Sequence, residues 1–214
     1  MHTNKKYIFI GPPGAGKGTA AKAISKHLSI RHISTGELLR KTINCNVSIG
    51  KKNLKDKVDD GWLMPDETAV EFVRQQISQA VSINGFILDG FPRTLIQAQE
   101  LEFITKVTSV VNFQIGEEAV MYRLSGRRIC KYDNQIYHLT DHPPKRTGIC
   151  NLCGKPITIR KDDRPHVIQR RIKLYQQAIK PVVEFYFQKG ILINLDANGS
   201  SDIIQKKILE KLSH

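Results

Sequence analysis

The chain carries Gly11-Pro12-Pro13-Gly14-Ala15-Gly16-Lys17-Gly18-Thr19 directly after the apolar run Tyr7-Ile8-Phe9-Ile10. A glycine-rich turn with a lysine, set between a buried strand and a helix, is a cradle for polyphosphate. Its glycines let backbone N–H groups converge on an anion with no side chain in the way. The helix N-terminus adds partial positive charge, and Lys17 reaches the outer phosphates. The strict form of this motif places Ser or Thr directly after the lysine; here Gly18 stands between Lys17 and Thr19.

Three further constellations carry chemistry. In Leu88-Asp89-Gly90-Phe91-Pro92-Arg93-Thr94, Asp89 ends an apolar strand, at the sheet edge where ligands gather in α/β folds. A carboxylate there can hold Mg²⁺ through water, and Arg93 can make a bidentate contact to phosphate. Arg123 and Arg127 lie four apart, a spacing that predicts one helix face, with Arg160 and Arg171 downstream. Any one of these arginines alone reads as a solvated surface group. Together they suit a phosphoryl group in flight, whose charge is met by fixed cations in a water-excluded site. Finally, Cys130-x-x-Asp133 precedes Cys150-x-x-Cys153. Two ligand pairs with two-residue gaps suit one tetrahedral, structural Zn²⁺. If Asp133 does not ligate, a water, His138 or His142 takes the fourth position.

The elements needed to position these residues follow from periodicity. Strands are expected at 7–10, 86–88, 110–115 and 191–195, with a very short one at His32-Ile33. Helices are expected at 17–28, 66–80, 95–103, 117–127, 167–188 and 202–212. Such alternation predicts an α/β fold with a parallel sheet covered by helices on both faces. Two segments break it. Residues 34–64 read as short helices, and residues 129–163 are rich in Pro, His, Lys and Cys without helical period, as a lid or metal-held module would be.

Length and composition bound the rest. The chain's 214 residues suit one main domain with insertions, and its 40% hydrophobic and 25% charged residues are those of a globular protein. No apolar run approaches the ~20 residues of a membrane span. The apolar stretch after Lys5-Lys6 is too short for a signal peptide, so a cytoplasmic location is expected. The net charge of +13 is spread over scattered lysines rather than gathered in a basic block, which argues against nucleic acid as the primary partner. The cysteine cluster in such a chain points to metal rather than disulfides.

With Ser34-Thr35-Gly36-Glu37-Leu38-Leu39-Arg40 and Arg160-Lys161-Asp162-Asp163 added in order, the motifs closely resemble the adenylate kinase family, in its long form with a zinc-bearing lid. The resemblance covers about residues 5–212, and Lys-Gly-Thr is itself typical of nucleoside monophosphate kinases. It implies a P-loop three-layer α/β/α core (1–33, 65–125, 164–214) with an AMP-binding insert (34–64) and a lid (126–163). It implies reversible, Mg²⁺-dependent phosphoryl transfer from ATP to AMP, giving two ADP, in purine nucleotide homeostasis. ATP would be held by Gly14, Ala15, Gly16, Lys17, Gly18, Thr19, Arg123, Arg127, Ile136, Tyr137 and the backbone of Gly199. AMP would be held by Thr35, Arg40, Trp62, Leu63, Met64, Gly90, Phe91, Pro92, Arg93, Gln97, Arg160 and Arg171, with Gln97 reading adenine. Lys17, Arg93, Arg127, Arg160 and Arg171 would act in catalysis, the metal knuckles would hold structural Zn²⁺, and a monomer is expected.

Three departures mark this chain. Ala20 replaces a usual glutamine, Asp133 a common fourth cysteine, and the Asp196-Ala197-Asn198-Gly199 loop lacks a lysine found in some members. Competing readings explain less. A kinase for UMP or CMP fits Thr35, Gln97 and the long lid poorly. A nucleic-acid-binding protein leaves the phosphate loop and arginines without a purpose. A P-loop ATPase or GTPase switch does the same for the two inserts, and no Asn-Lys-x-Asp base-reading motif is present.

Overall fold

A computed structural model describes residues 5–37, 59–79 and 84–212. Five strands, β1 (Lys5–Ile10), β2 (Arg31–Ser34), β3 (Gly85–Asp89), β4 (Ser109–Gln114) and β8 (Leu192–Asp196), form a parallel sheet in the order β2-β3-β1-β4-β8. β1 lies at the centre, which is why it is apolar on both faces. Successive side chains point to opposite sides of a strand. Ile8 and Ile10 therefore enter one core, with Leu88, Val110, Val73 and Leu101. Tyr7 and Phe9 enter the other, with Phe113, Ile24 and Ile208.

Helices cover both faces: α1 (Lys17–Leu28) and α6 (Ser201–Leu212) on the Phe9 side, and α2 (Asp66–Ser78), α3 (Leu95–Ile104) and the long α5 (Pro165–Gln188) on the Ile8 side. α4 (Glu117–Gly126) packs on α5 through Val120, Leu124, Ile168 and Ile172. The expected three-layer α/β/α arrangement is thus present, with α1 bounded as predicted.

Two expectations are corrected. The helix predicted over 117–127 stops at Gly126, and Arg127 opens β5 (Arg127–Cys130) with extended backbone. Arg123 and Arg127 therefore do not share a helix face. Glycine ends the helix because its freedom is costly in a helical interior. It also leaves space for a neighbour, since a Cβ at Gly126 would sit 2.1 Å from His138 Nε2. Second, the segment that lacks helical period is not wholly irregular. β5 is flanked by β6 (Ile136–His138) and β7 (Ile157–Thr158) in a small antiparallel sheet. Among the described residues its core cluster is Cys130, Tyr137, Cys150 and the partly buried Ile157. The short helices expected within 34–64 fall mostly outside the described residues.

Candidate active site

The carboxyl ends of β1, β2 and β3, with the loop after β8, open onto one cavity, the position that doubly wound sheets use for ligands. After β1 the chain turns through Gly14 (φ 79°) and Gly16 (φ 89°), conformations natural to glycine, into α1. Lys17 Nζ donates to the carbonyls of Gly11 (2.7 Å) and Pro12 (2.8 Å). Burial lowers its pKa to about 8; Asp89 opposes that shift, while Arg93, Arg171 and Arg127 add to it. A lysine so placed gains most from an incoming anion. Asp89 also accounts for Gly18, because a Cβ there would lie only 3.1 Å from the Asp89 carboxylate.

Asp89 itself ends β3, 9% exposed. Burial alone would raise its pKa, but His32 beside it, at 3.5 Å from Oδ2, together with Lys17 and Arg93, holds the carboxyl below its ordinary value. An ionised, partly screened oxygen donor next to a phosphate cradle is the hard ligand Mg²⁺ prefers, usually through water.

The turn after β3 builds the second side. Gly90 (φ 82°) exposes its carbonyl, which accepts from Thr35 Oγ1 at 3.0 Å and from Arg93 Nε at 2.8 Å. Gln97, 2% exposed, accepts the Arg93 N–H at Oε1 (2.8 Å) and donates from Nε2 to Asp66 Oδ1 (2.8 Å). Thr94 caps α3 through Gln97 N and donates to the same Asp66 oxygen. The amide of Gln97 is therefore held in one orientation while it lines the cavity. Trp62, Leu63, Met64, Phe91 and Pro92 line the same side, and Arg170 stacks over the Trp62 ring at 5.2 Å. Arg40 lies outside the described residues.

Arg127 and Arg171 converge on one carboxylate. Arg127 donates to Asp163 from Nε (2.7 Å) and from Nη2 (2.5 Å), and Arg171 Nη1 donates to Asp163 Oδ1 at 3.1 Å. Asp163 is 3% exposed, so these charge-assisted bonds fix both guanidinium groups toward the cavity. Arg171 is further held by the Asp162 carbonyl at 2.9 Å. Arg123, from α4, spans to the loop after β8, donating from Nη2 to the carbonyls of Ala197 and Gly199 at 3.0 Å each. That arginine ties down the loop that lacks a lysine. Ile136 and Tyr137 lie at the cavity rim, but Tyr137 is 2% exposed, with its hydroxyl 3.2 Å from Cys150 Sγ. Ala15 is fully buried, and its N–H is taken by the Pro12 carbonyl.

Sequence reasoning gave no role to Asp163, Asp66 or His32. Asp163 stood within the Arg-Lys-Asp-Asp motif, so a signal for it existed. Asp66 and His32 had none, since their partners Gln97 and Asp89 lie 31 and 57 positions away.

The ligand-spaced residues also meet. Donor atoms of Cys130, Asp133, Cys150 and Cys153 lie within 4.8 Å of one another. Cys130 Sγ is 3.4 Å from Cys153 Sγ, and Cys150 Sγ donates to Asp133 Oδ2 at 3.0 Å. Tetrahedral zinc with Zn–S bonds near 2.3 Å sets its ligand atoms about 3.8 Å apart, so the cluster fits that ion. Asp133 rather than a histidine stands fourth; His138 faces Tyr122 and Thr140 instead.

Lys17, Arg93, Arg123, Arg127, Arg160 and Arg171 all line the same cavity of about 1340 Å³. That exceeds the ~300–1,000 Å³ of a typical single-ligand pocket. Comparison with known proteins agrees with this geometry. Residues 9–191 match the family described as "Adenylate kinase". The adenylate kinase of Treponema denticola is 42% identical over 207 residues, covering 97% of this chain and 99% of that protein. Those of Caldicellulosiruptor saccharolyticus and Staphylococcus aureus are 39% and 42% identical over 214 residues, each covering 97% of this chain and 98% of the relative. Likeness sustained from end to end at this level leaves little room for another reading, and the chain belongs to the adenylate kinase family, the ATP:AMP phosphotransferases.

Proposed function

We propose that the cleft holds ATP and AMP together and delivers the terminal phosphoryl group of ATP to the AMP phosphate, excluding water. The observation that carries this assignment of roles is the convergence of Lys17 and five arginines on one cavity. Residues 1–33, 65–125 and 164–214 form the core, 34–64 clamp AMP, and 126–163 act as the lid over ATP.

On the ATP side, the backbone of Gly14 to Thr19 cradles the β- and γ-phosphates, and Lys17 turns from the loop carbonyls toward the transferred group. Arg123 and Arg127 reach the ATP phosphates; Ile136, Tyr137 and the Gly199 backbone border the base. On the AMP side, Arg93, Arg160 and Arg171 bind the acceptor phosphate, Thr35 and residues 62–64 pack on the nucleoside, and Gln97 reads the adenine edge. No protein nucleophile is needed, because positioning and fixed positive charge supply the catalysis. Mg²⁺ accompanying ATP supplies charge neutralisation across the phosphates, and Asp89 is the residue that would hold it through water.

Cys130, Asp133, Cys150 and Cys153 would hold a structural Zn²⁺. The small sheet buries too few side chains to stand by its own core, which is the condition under which a metal substitutes for one. A monomer working in the cytoplasm on free purine nucleotides fits a site complete within one chain; no described helix is long and apolar enough to cross a membrane.

The test is ADP formation from Mg·ATP with AMP, CMP, UMP and GMP offered separately. Strong preference for AMP is expected. Preference for another monophosphate would overturn the roles given to Thr35 and Gln97.

A further inference from the structure

Behind the cavity wall that carries Gln97 stands a carboxylate that does not itself line the cavity. Asp66 is the first residue of α2 and is half-buried. Its position alone has an ordinary explanation, since negative charge in the first turn of a helix is stabilising. Its contacts say more. Oδ1 accepts from Gln97 Nε2 at 2.8 Å and from Thr94 Oγ1 at 2.9 Å. The Thr94 oxygen in turn accepts the Gln97 N–H at 3.2 Å, so that hydroxyl has its proton committed to Asp66. On the other side of the Gln97 amide, Oε1 accepts the Arg93 N–H at 2.8 Å. A backbone N–H only donates and a carboxylate only accepts. The two neighbours together therefore assign the amide oxygen to Arg93 and the amide nitrogen to Asp66.

A primary amide carries two donors and two acceptor positions. Here the protein uses one of each, which leaves one N–H and one oxygen lone pair, in a fixed order, for what enters the cavity. Purines differ in the order they offer. A 6-aminopurine shows a donor at its exocyclic nitrogen beside the acceptor N1, whereas a 6-oxopurine shows the acceptor O6 beside the donor N1–H. An amide free to turn over satisfies either base. An amide locked one way satisfies one of them and sets like groups against each other with the other. Unpaired polar groups in a shielded site are what make such discrimination strong, and Gln97 is only 2% exposed.

We propose that Asp66 is a positioning residue that fixes the polarity of the Gln97 amide and thereby makes the site select a 6-aminopurine monophosphate over a 6-oxopurine one. The proposal rests on the reading of Gln97 as the group that meets the base edge. It gives Asp66 a part in the choice of substrate and none in phosphoryl transfer.

The experiment compares AMP with inosine monophosphate, which differ only at C6 and N1, as phosphoryl acceptors from Mg·ATP. The proteins are the full-length wild type, Asp66→Ala, Asp66→Asn and Gln97→Leu. A hydrogen bond to a charged group corresponds to about tenfold, so Asp66→Ala is expected to lower the kcat/KM preference for AMP over inosine monophosphate by about that factor. The change should fall on the KM for AMP, with kcat at saturating AMP and the KM for ATP unchanged. Asp66→Asn is expected to keep the wild-type preference, because an amide oxygen can accept both bonds that Oδ1 accepts. That rescue separates the acceptor atom from the charge at the helix start. A wild-type preference in Asp66→Ala overturns the proposal, as does an equal loss in Asp66→Ala and Asp66→Asn. If Gln97→Leu also leaves the preference unchanged, the base is read elsewhere and the reading beneath the proposal fails with it. If Gln97→Leu relaxes the preference while Asp66→Ala does not, the positioning role alone fails.

Discussion

Replacing Asp163 by Asn removes a charge without changing shape, and the structure sets what that costs. Asp163 accepts two bonds from Arg127 and one from Arg171, and its side chain is fully shielded from solvent. Removing one partner of a buried ion pair costs about 3–5 kcal/mol, because the remaining charge is left uncompensated. Here the stranded guanidinium groups are 15% and 21% exposed, and Asp162 stays 3.3 Å from Arg171. Water and that second carboxylate recover part of the loss, so the lower figure, about 3 kcal/mol, is the better guide. For a chain of this size each kcal/mol moves the melting temperature roughly 2–4 °C, giving an expected drop of roughly 6–12 °C. The assay is thermal unfolding of the two proteins with and without a saturating mixture of ATP and AMP. Phosphates supply the charge that Asp163 supplied, so the deficit of the variant should narrow when nucleotide is bound. A melting temperature within about 1 °C of wild type, or a deficit equal in both conditions, would refute Asp163 as the group that aims the two arginines.

Three other outcomes follow from the site. Lys17, with its pKa lowered to about 8, is charged below that pH and loses its proton above it. ATP requires the ammonium form, so affinity should be flat below pH 7 and fall above pH 8 by up to about tenfold per unit, with proton uptake on binding; a flat profile through pH 9.5 would contradict the assigned contact. Cys150→Ser should lower bound zinc, measured by elemental analysis, and lower the melting temperature more than the rate at low temperature; unchanged metal content would remove the site. Gln97→Leu takes from Asp66 one of its two donors, Thr94 remaining, and removes the acceptor of the Arg93 N–H together with the group that faces the base edge, so preference for AMP over other monophosphates should relax by about tenfold or more; an unchanged acceptor profile would move base reading elsewhere.

Much of this was legible in the sequence because it is local. The strand-turn-helix from Tyr7 to Leu28 announces itself through apolar run, glycines and helical period; the folded chain keeps the helix bounds and starts the strand two residues earlier, at Lys5. Asp89 and Arg93 sit four residues apart on one turn, so their shared wall follows once the strand is recognised. Arg127 was misplaced for a physical reason: helical spacing from Arg123 continues through Gly126, but the helix ends at that glycine, over which the His138 ring of the later strand β6 packs. The same limit hid the link of Asp163 to Arg127 and the hold of Asp66 on Gln97, which join residues 36 and 31 positions apart. The four candidate metal ligands were visible because paired two-residue gaps encode each half of the knuckle locally. That the halves meet, with Asp133 rather than His138 or His142 as the fourth member of the cluster, required the small sheet to be folded.

The central claim is that the cleft passes a phosphoryl group between two bound nucleotides and denies it to water. Its most direct test is product stoichiometry: ADP and inorganic phosphate measured together as Mg·ATP is consumed in the presence of AMP. The account predicts two ADP for each ATP consumed and no phosphate release, with turnover ceasing when AMP is omitted. Phosphate appearing in step with ADP, at a rate indifferent to AMP, would contradict it.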